Sequence, residues 1–213
     1  MKKEDLPKII SIFPLSNAIF FPRTILPLNI FEDRYLQLVD DCMKGNRMFV
    51  MVQPRNRKDL SPEVYNVGCL GKIISFNETS DKRFIISLAG LTRFRIKKEL
   101  KKERLYRIFE VDYSEFLNDL EFKKDESFIL EKKNLLKIIQ FFFEKINYPV
   151  KYNELSKLDL DELISNVSMI SPFSVEEKQK LIESKKIDNK IEALSEIINF
   201  NLVHYEERKP IQS

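Results

Sequence analysis

Four glycines, at positions 45, 68, 71 and 90, are all the chain has. None opens a G-x-x-x-x-G-K-[ST] or G-x-G-x-x-G pattern, and without such glycines backbone amides cannot close around a phosphate. A nucleotide-driven reaction is therefore not expected. For metal chemistry the chain offers Cys42, Cys69 and His204 in no C-x-x-C or H-x-x-x-H spacing, too little for a four-ligand zinc site. Any Ser-His or Cys-His arrangement must use His204, the sole histidine, which falls near the end of a helical pattern instead of on a loop above a sheet. The carboxylate pairs Asp40 with Asp41 and Glu206 with Glu207 are sequence neighbours. Such neighbours point apart and cannot act as acid and base across a cleft. The expectation is a protein with no catalytic residues, no cofactor and no metal.

Two clusters could bind without reacting. Arg93, Arg95, Lys97, Lys98, Lys101, Lys102, Arg104 and Arg107 form a basic stripe interleaved with Phe94, Tyr106, Glu99 and Glu103. Such a stripe can track a phosphate backbone while its aromatics stack on bases; the plainer reading is a solvated strand face diluted by its acids. Phe141, Phe142 and Phe143 run consecutively, spread over most of a helix circumference, and are expected to be core between layers.

The elements that position these residues follow two periodicities. Residues 9–15 and 24–31 read as strands around a Pro22 turn, with Pro14, Pro22 and Pro27 suited to strand edges. Residues 32–43 carry Tyr35, Leu36, Val39 and Met43 at helical spacing before Gly45, a helix stop, and residues 48–52 form a continuously apolar strand. Residues 70–76 and 84–88 flank a polar stretch and suit a hairpin, with a bend at Gly90. Phe94 and Ile96 alternate with Arg93 and Arg95, which predicts apolar groups inside and guanidinium groups in solvent; residues 106–113 supply a last strand. After Phe116 the spacing turns helical: a long helix through Phe128, Leu135, Ile139, Phe142 and Ile146, a second at 159–170, a third opened by the Ser174 and Glu177 capping box, and a last through Ile187, Ile191, Leu194, Ile198 and Leu202. Residues 206–213 read as a frayed tail. The fold class is α+β: a mostly antiparallel β domain at 1–117, a helical bundle at 118–213, and the polar stretch 118–126 as the join.

With 213 residues, 43% of them hydrophobic, the chain can bury a real core. A net charge of +3 from 36 basic and 33 acidic residues is far from the asymmetry of a dedicated nucleic-acid binder. The first apolar stretch is broken at Pro14 and no run reaches a membrane-spanning length. A cytoplasmic protein with reduced, buried thiols at Cys42 and Cys69 is expected.

The string IFPLSNAIFFPRTILPLNIFEDRY at residues 12–35 resembles the opening signature of the Lon substrate-binding domain family: a Pro-Leu strand, a Phe-Pro turn, a Leu-Pro-Leu strand and an Ile-Phe-Glu-x-Arg-Tyr helix start. VGCLGKI at 67–73, the Gly-x-x-Arg-Phe-Arg segment at 90–95, SVEEKQKLIES at 174–184 and IDNKIEALSEII extend the likeness over nearly the whole chain. The sequence departs from the family at Arg23, where Gly is common, and at Asn29 and Asp33, often His and Pro. The resemblance implies a PUA-like β domain, a pseudo-barrel with one helix, followed by a helical bundle. It also implies a stand-alone bacterial member that recognises proteins or peptides without the family's ATPase and peptidase segments.

Proline-rich edge strands leave backbone groups open to an added strand. The expected contact with unfolded or partly unfolded protein segments, with a separate protease as a further candidate partner, is therefore placed at Phe20, Phe21, Arg23, Phe31 and Tyr35. The plainer reading of these five is packing. RNA binding through Arg93, Arg95 and Lys97 is the alternative; neither a membrane nor a nucleotide is an expected partner.

Overall fold

In the computed structural model, which describes residues 3–15, 19–55, 63–101, 103–121 and 128–207, the chain divides into two compact units, Met1–Phe122 and Lys123–Ser213.

In the first unit the strands are β1 (Ile9–Pro14), β2 (Ile25–Ile30), β3 (Met48–Val52), β4 (Val67–Glu78), β5 (Phe84–Leu100) and β6 (Ile108–Asp112), with helix α1 (Asp33–Met43) between β2 and β3. Among the described residues they form one sheet in the order β2-β5-β4-β3-β1-β6, and β6 returns to pair with β5. Five strands thus close into a ring, antiparallel except for β1 with β3, and β2 stays outside it, paired with β5 alone. One strand can serve both ring and flap because β5 runs for 17 residues and is irregular where Leu91 and Lys97 fall out of register. Bulges of this kind bend a strand and raise its twist.

Period-two alternation fills the ring. Ile10, Ile12, Val50, Val52, Leu70, Phe94, Phe109 and Val111 pack as one buried cluster. The other face of β1 and β3 is covered too: the Phe13 ring lies 4.1 Å from that of Tyr35 on α1 and 5.9 Å from that of Phe49. Every residue of β3 is therefore buried, which is why it reads as a continuous apolar run. α1 ends before Gly45, but the left-handed residue of that turn is Arg47, at φ 61°.

The alternation at residues 93–96 holds, yet its consequence for Arg93 is reversed. Phe94 points into the ring and Arg93 out of it, but a 3-10 helix at Ser114–Leu120 lies over that outer face. Arg93 is only 3% exposed. Its Nε and Nη2 donate to Asp119 at 2.9 and 2.8 Å, its own backbone N–H donates to Asp119 Oδ2 at 2.9 Å, and its guanidinium sits 4.6 Å from the centre of the Phe116 ring. A charge with its hydrogen bonds met in this way can be buried. The stretch read as a join thus starts inside the first unit, while residues 122–126, Lys102 and the tail at 208–213 lie outside the described residues.

The second unit is helical: α2 (Ile129–Lys145), a short α3 (Tyr152–Leu155) that the sequence reading lacked, α4 (Leu160–Ile170), α5 (Val175–Glu183) and α6 (Ile187–Glu207). Reciprocal capping boxes open α4 at Asp159 with Glu162 and α5 at Ser174 with Glu177. α6 packs against α2, α4 and α5 with Leu194 and Ile198 buried. Phe142 and Phe143 are core, the former 5.7 Å from the Phe173 ring, but Phe141 is half exposed. Three consecutive positions span about 200° of a helix, wider than one buried face.

Candidate functional site

A pair of facing glycines builds the entrance to β2. Gly71 on β4 lies opposite Gly90 on β5. A Cβ on Gly71 would strike Leu88 and come within 2.8 Å of the Phe20 ring, and a Cβ on Gly90 would strike the Phe21 carbonyl. The Phe20 and Phe21 segment is seated in the trough these glycines leave. Both side chains are buried, so they anchor the segment and offer no surface to a partner. Thr24 Oγ1 donates to the Phe21 carbonyl at 2.7 Å. The Arg23 N–H donates to the Gly90 carbonyl and the Gly90 N–H to the Thr24 carbonyl, each at 2.9 Å. Two residues opposing one is a bulge, and its first residue takes the left-handed region: Arg23 has φ 60°. This is the turn position at which glycine was expected from the resemblance.

The strand that follows is open. Ile25, Pro27 and Asn29 are exposed, Leu26 and Leu28 half-buried, and Ile30 buried. Leu26 pairs with Leu88 and Leu28 with Ile86, both buried, whereas Asn29 pairs with Ile85, which is 42% exposed. Ile25 at 61% and Phe31 at 63% are more exposed still. Exposed Ile74 lies on β4, and the Phe76 and Phe84 rings meet at 5.0 Å near the hairpin end. Among the described residues no strand lies beyond β2. An unpaired edge flanked by apolar side chains is suited to hold an extended polypeptide.

Of the five residues expected to touch a protein partner, only Phe31 is prominent. Phe20, Phe21 and Tyr35 are buried, Tyr35 between the Phe13 ring and the Arg34 guanidinium, and Arg23 is half-buried in its turn. Ile25 and Ile85 were missed, although the parity of the hairpin already sets Ile85 apart from Ile86.

Among the described residues, five of the eight in the basic stripe are engaged with neighbouring acids. Besides Arg93 with Asp119, Arg95 holds Glu115 through two bonds of 2.7 and 3.0 Å, Arg107 holds Glu99 through two of 2.8 Å, Lys98 lies 3.6 Å from Glu110 and Arg104 3.2 Å from Asp41. The Arg107 hydrogen bonds hold the Glu99 carboxyl below its ordinary pKa. Lys97 is exposed at a register shift, and its charge helps to lower Asp112, chiefly held down by hydrogen bonds from Ser114. Of Arg93, Arg95 and Lys97, the first is thus inaccessible and the second engaged. Neither thiol is poised for chemistry: Cys42 donates to the Met48 carbonyl and burial pushes it up to about 12, while burial also raises Cys69. His204 bonds the Phe200 carbonyl at 2.9 Å and lies against its ring.

No helix among the described residues is long and apolar enough to cross a membrane. The sequence pattern of the ATP-dependent protease La (LON) substrate-binding domain matches residues 9–199. Lon protease of Desulfosudis oleivorans is 26% identical over 210 residues, covering 93% of this chain and 25% of that protein. Lon protease 2 of Myxococcus xanthus is 24% identical over 204 residues, covering 93% and 24%. The chain therefore spans about a quarter of the length of these relatives. Among solved structures, the N-terminal domain of Mycobacterium avium complex Lon protease superposes with a TM-score of 0.63 at 13% identity, over 95% of this chain and all of that one. The Lon N-terminal domain protein of Xanthomonas campestris superposes at 0.61 and 19% identity, over 87% and 96%. A closed β ring with a flanking strand, a helical second unit and a family match spanning both make this chain a member of the LON substrate-binding domain family.

Proposed function

We propose that the chain recognises extended, partly unfolded protein segments in the cytoplasm, doing no chemistry of its own and serving proteolysis or protein quality control as a client-binding module. The observation that carries this reading is the open edge of β2 with exposed Ile25, Phe31 and Ile85 beside it. Family membership supports it from a second direction, since the matched region is described as a substrate-binding domain. An extended chain adds to the edge and lays its side chains along Leu26 and Leu28 on one face and beside Ile25 and Ile85 on the other.

The test is fluorescence anisotropy with reduced, carboxymethylated casein against a natively folded protein of similar size. Casein is expected to bind and the folded protein not to, with little dependence on salt. The double variant Ile25→Lys, Ile85→Lys is expected to weaken casein about tenfold by placing solvated charges where apolar contact is needed. Equal, weak binding of both probes sinks the reading. Binding of single-stranded RNA with a steep salt slope would put the basic stripe in its place.

A further inference from the structure

The hydrogen bonds around Gly90 fix which backbone groups of β2 are spare. Because Gly90 and Thr24 are bonded to each other, and bonded pairs in an antiparallel ladder recur at every second residue, Leu26, Leu28 and Ile30 direct their backbone groups toward β5. The opposite side of β5 agrees: the Thr79 N–H donates to the Arg83 carbonyl at 2.9 Å, so the odd-numbered residues of β5 up to Ala89, before the irregularity at Leu91, face β4. Ile25, Pro27 and Asn29 therefore point their backbone groups away from the sheet, and among the described residues nothing bonds them. Pro27 has no N–H, and it stands at one of the positions where a missing donor leaves the native ladder intact.

Resting on the client-binding reading above, we infer that β2 reads its client through the backbone of this one parity, and that Pro27 keeps the same edge from closing on a second copy of the chain. An antiparallel client gains two hydrogen bonds at Ile25, two at Asn29 and one at the Pro27 carbonyl, about five over a segment of roughly five residues. Two copies pairing through β2 would set Ile25 against Asn29 and Pro27 against Pro27, leaving each central carbonyl facing a proline nitrogen that has no hydrogen to donate. The client is a proline-free extended segment with apolar residues at alternate positions. Those residues lie beside half-buried Leu26 and Leu28, so the intervening residues are the ones bonded to β2.

The probe is a capped peptide of about seven residues alternating Thr and Val, together with one form N-methylated at every Thr and one at every Val. The expected result is binding of the parent, loss of at least about tenfold on methylating the Thr amides, and little change on methylating the Val amides. Hydrogen exchange gives a second readout: in the free protein the amides of Leu26, Leu28 and Ile30 are protected while those of Ile25 and Asn29 exchange fast and slow down when the peptide is added. Pro27→Val is expected to move the chain from monomer toward dimer in sedimentation at high concentration. Equal loss from both methylated forms, or casein binding with no binding of the parent peptide, overturns the inference while leaving client recognition in place. A wild-type dimer that dissociates as peptide binds overturns the role of Pro27. If neither casein nor peptide binds, client recognition itself fails.

Discussion

Over residues 84–89 the strand β5 holds β2 on one side and β4 on the other, and beyond β2 the sheet stops; over residues 95–100 the same strand pairs with β6 and the ring closes. The closing half is rich in charge, and three of its four charges are met locally: Arg95 by Glu115, Lys98 by Glu110, Glu99 by Arg107. Just before it, Arg93 is buried against Asp119. The open half carries apolar residues that nothing covers, Ile85 on β5 and Ile25 across from Ala89. Most of the charge is already engaged with neighbours, whereas open backbone groups and exposed isoleucines are free to pair with another chain.

The largest effect belongs to the closed half. Replacing one partner of the buried pair, by Arg93→Met or Asp119→Ala, is expected to cost about 3–5 kcal/mol in urea unfolding, because the remaining charge stays buried without its partner. Asp119→Ala also removes the acceptor for the Arg93 backbone N–H. The double variant Arg93→Met, Asp119→Leu should recover most of the loss, since an apolar pair of suitable volume leaves no charge to desolvate. The exposed pair is the control: Arg95→Ala should cost no more than about 1 kcal/mol. Similar losses at both arginines would break the distinction between a buried lock and a surface pairing.

How much of this was legible in the sequence depends on the range of the interactions. The strands around Pro22, the run at 48–52, α1 and the Ser174 capping box follow from patterns within a few residues, and each is present. The inward and outward sense of residues 93–96 was legible as well. What covers Arg93 was not, because Asp119 lies 26 residues away in a polar stretch whose composition reads as a join. Phe20 and Phe21 drew notice as a surface motif, but their burial depends on two glycines 51 and 69 residues downstream of Phe20 and Phe21 respectively, which face each other only once β4 and β5 are paired. The open edge is legible in part: Pro27 announces an edge strand, while the parity of its spare groups needs the Gly90 and Thr24 register.

Gly90 stands where the two halves meet, and Gly90→Ala tests whether the open half depends on that junction. The added methyl would collide with the Phe21 carbonyl, so the segment that leads into β2 has to shift. A loss of about 1–3 kcal/mol is expected, in the range of overpacked core sites. Faster hydrogen exchange at Leu26 and Leu28 and loss of casein binding should accompany it. Exchange that instead quickens evenly over β4, β5 and β6 would mean that the flap and the ring unfold as one and that the two halves are not separable.

The smallest effect is a gain, at the tip of the open half. Lys82 is exposed and holds φ 63° in the turn joining β4 to β5, where Thr79 Oγ1 accepts from the Arg83 N–H at 3.0 Å. A side chain with a Cβ pays roughly 1–2 kcal/mol to adopt the left-handed region, and glycine avoids this while losing more freedom on folding. Lys82→Gly is therefore expected to stabilise the protein by about 0.5–1 kcal/mol in urea unfolding, the part of the left-handed penalty that survives the entropy loss. Because the turn lies at the far end of β5 from the buried pair, this gain should add to the losses measured at Arg93 and Asp119 without altering them. A gain that vanished in the Arg93→Met background would show that the turn and the buried pair are coupled along β5, and that the strand transmits strain between its open and closed halves.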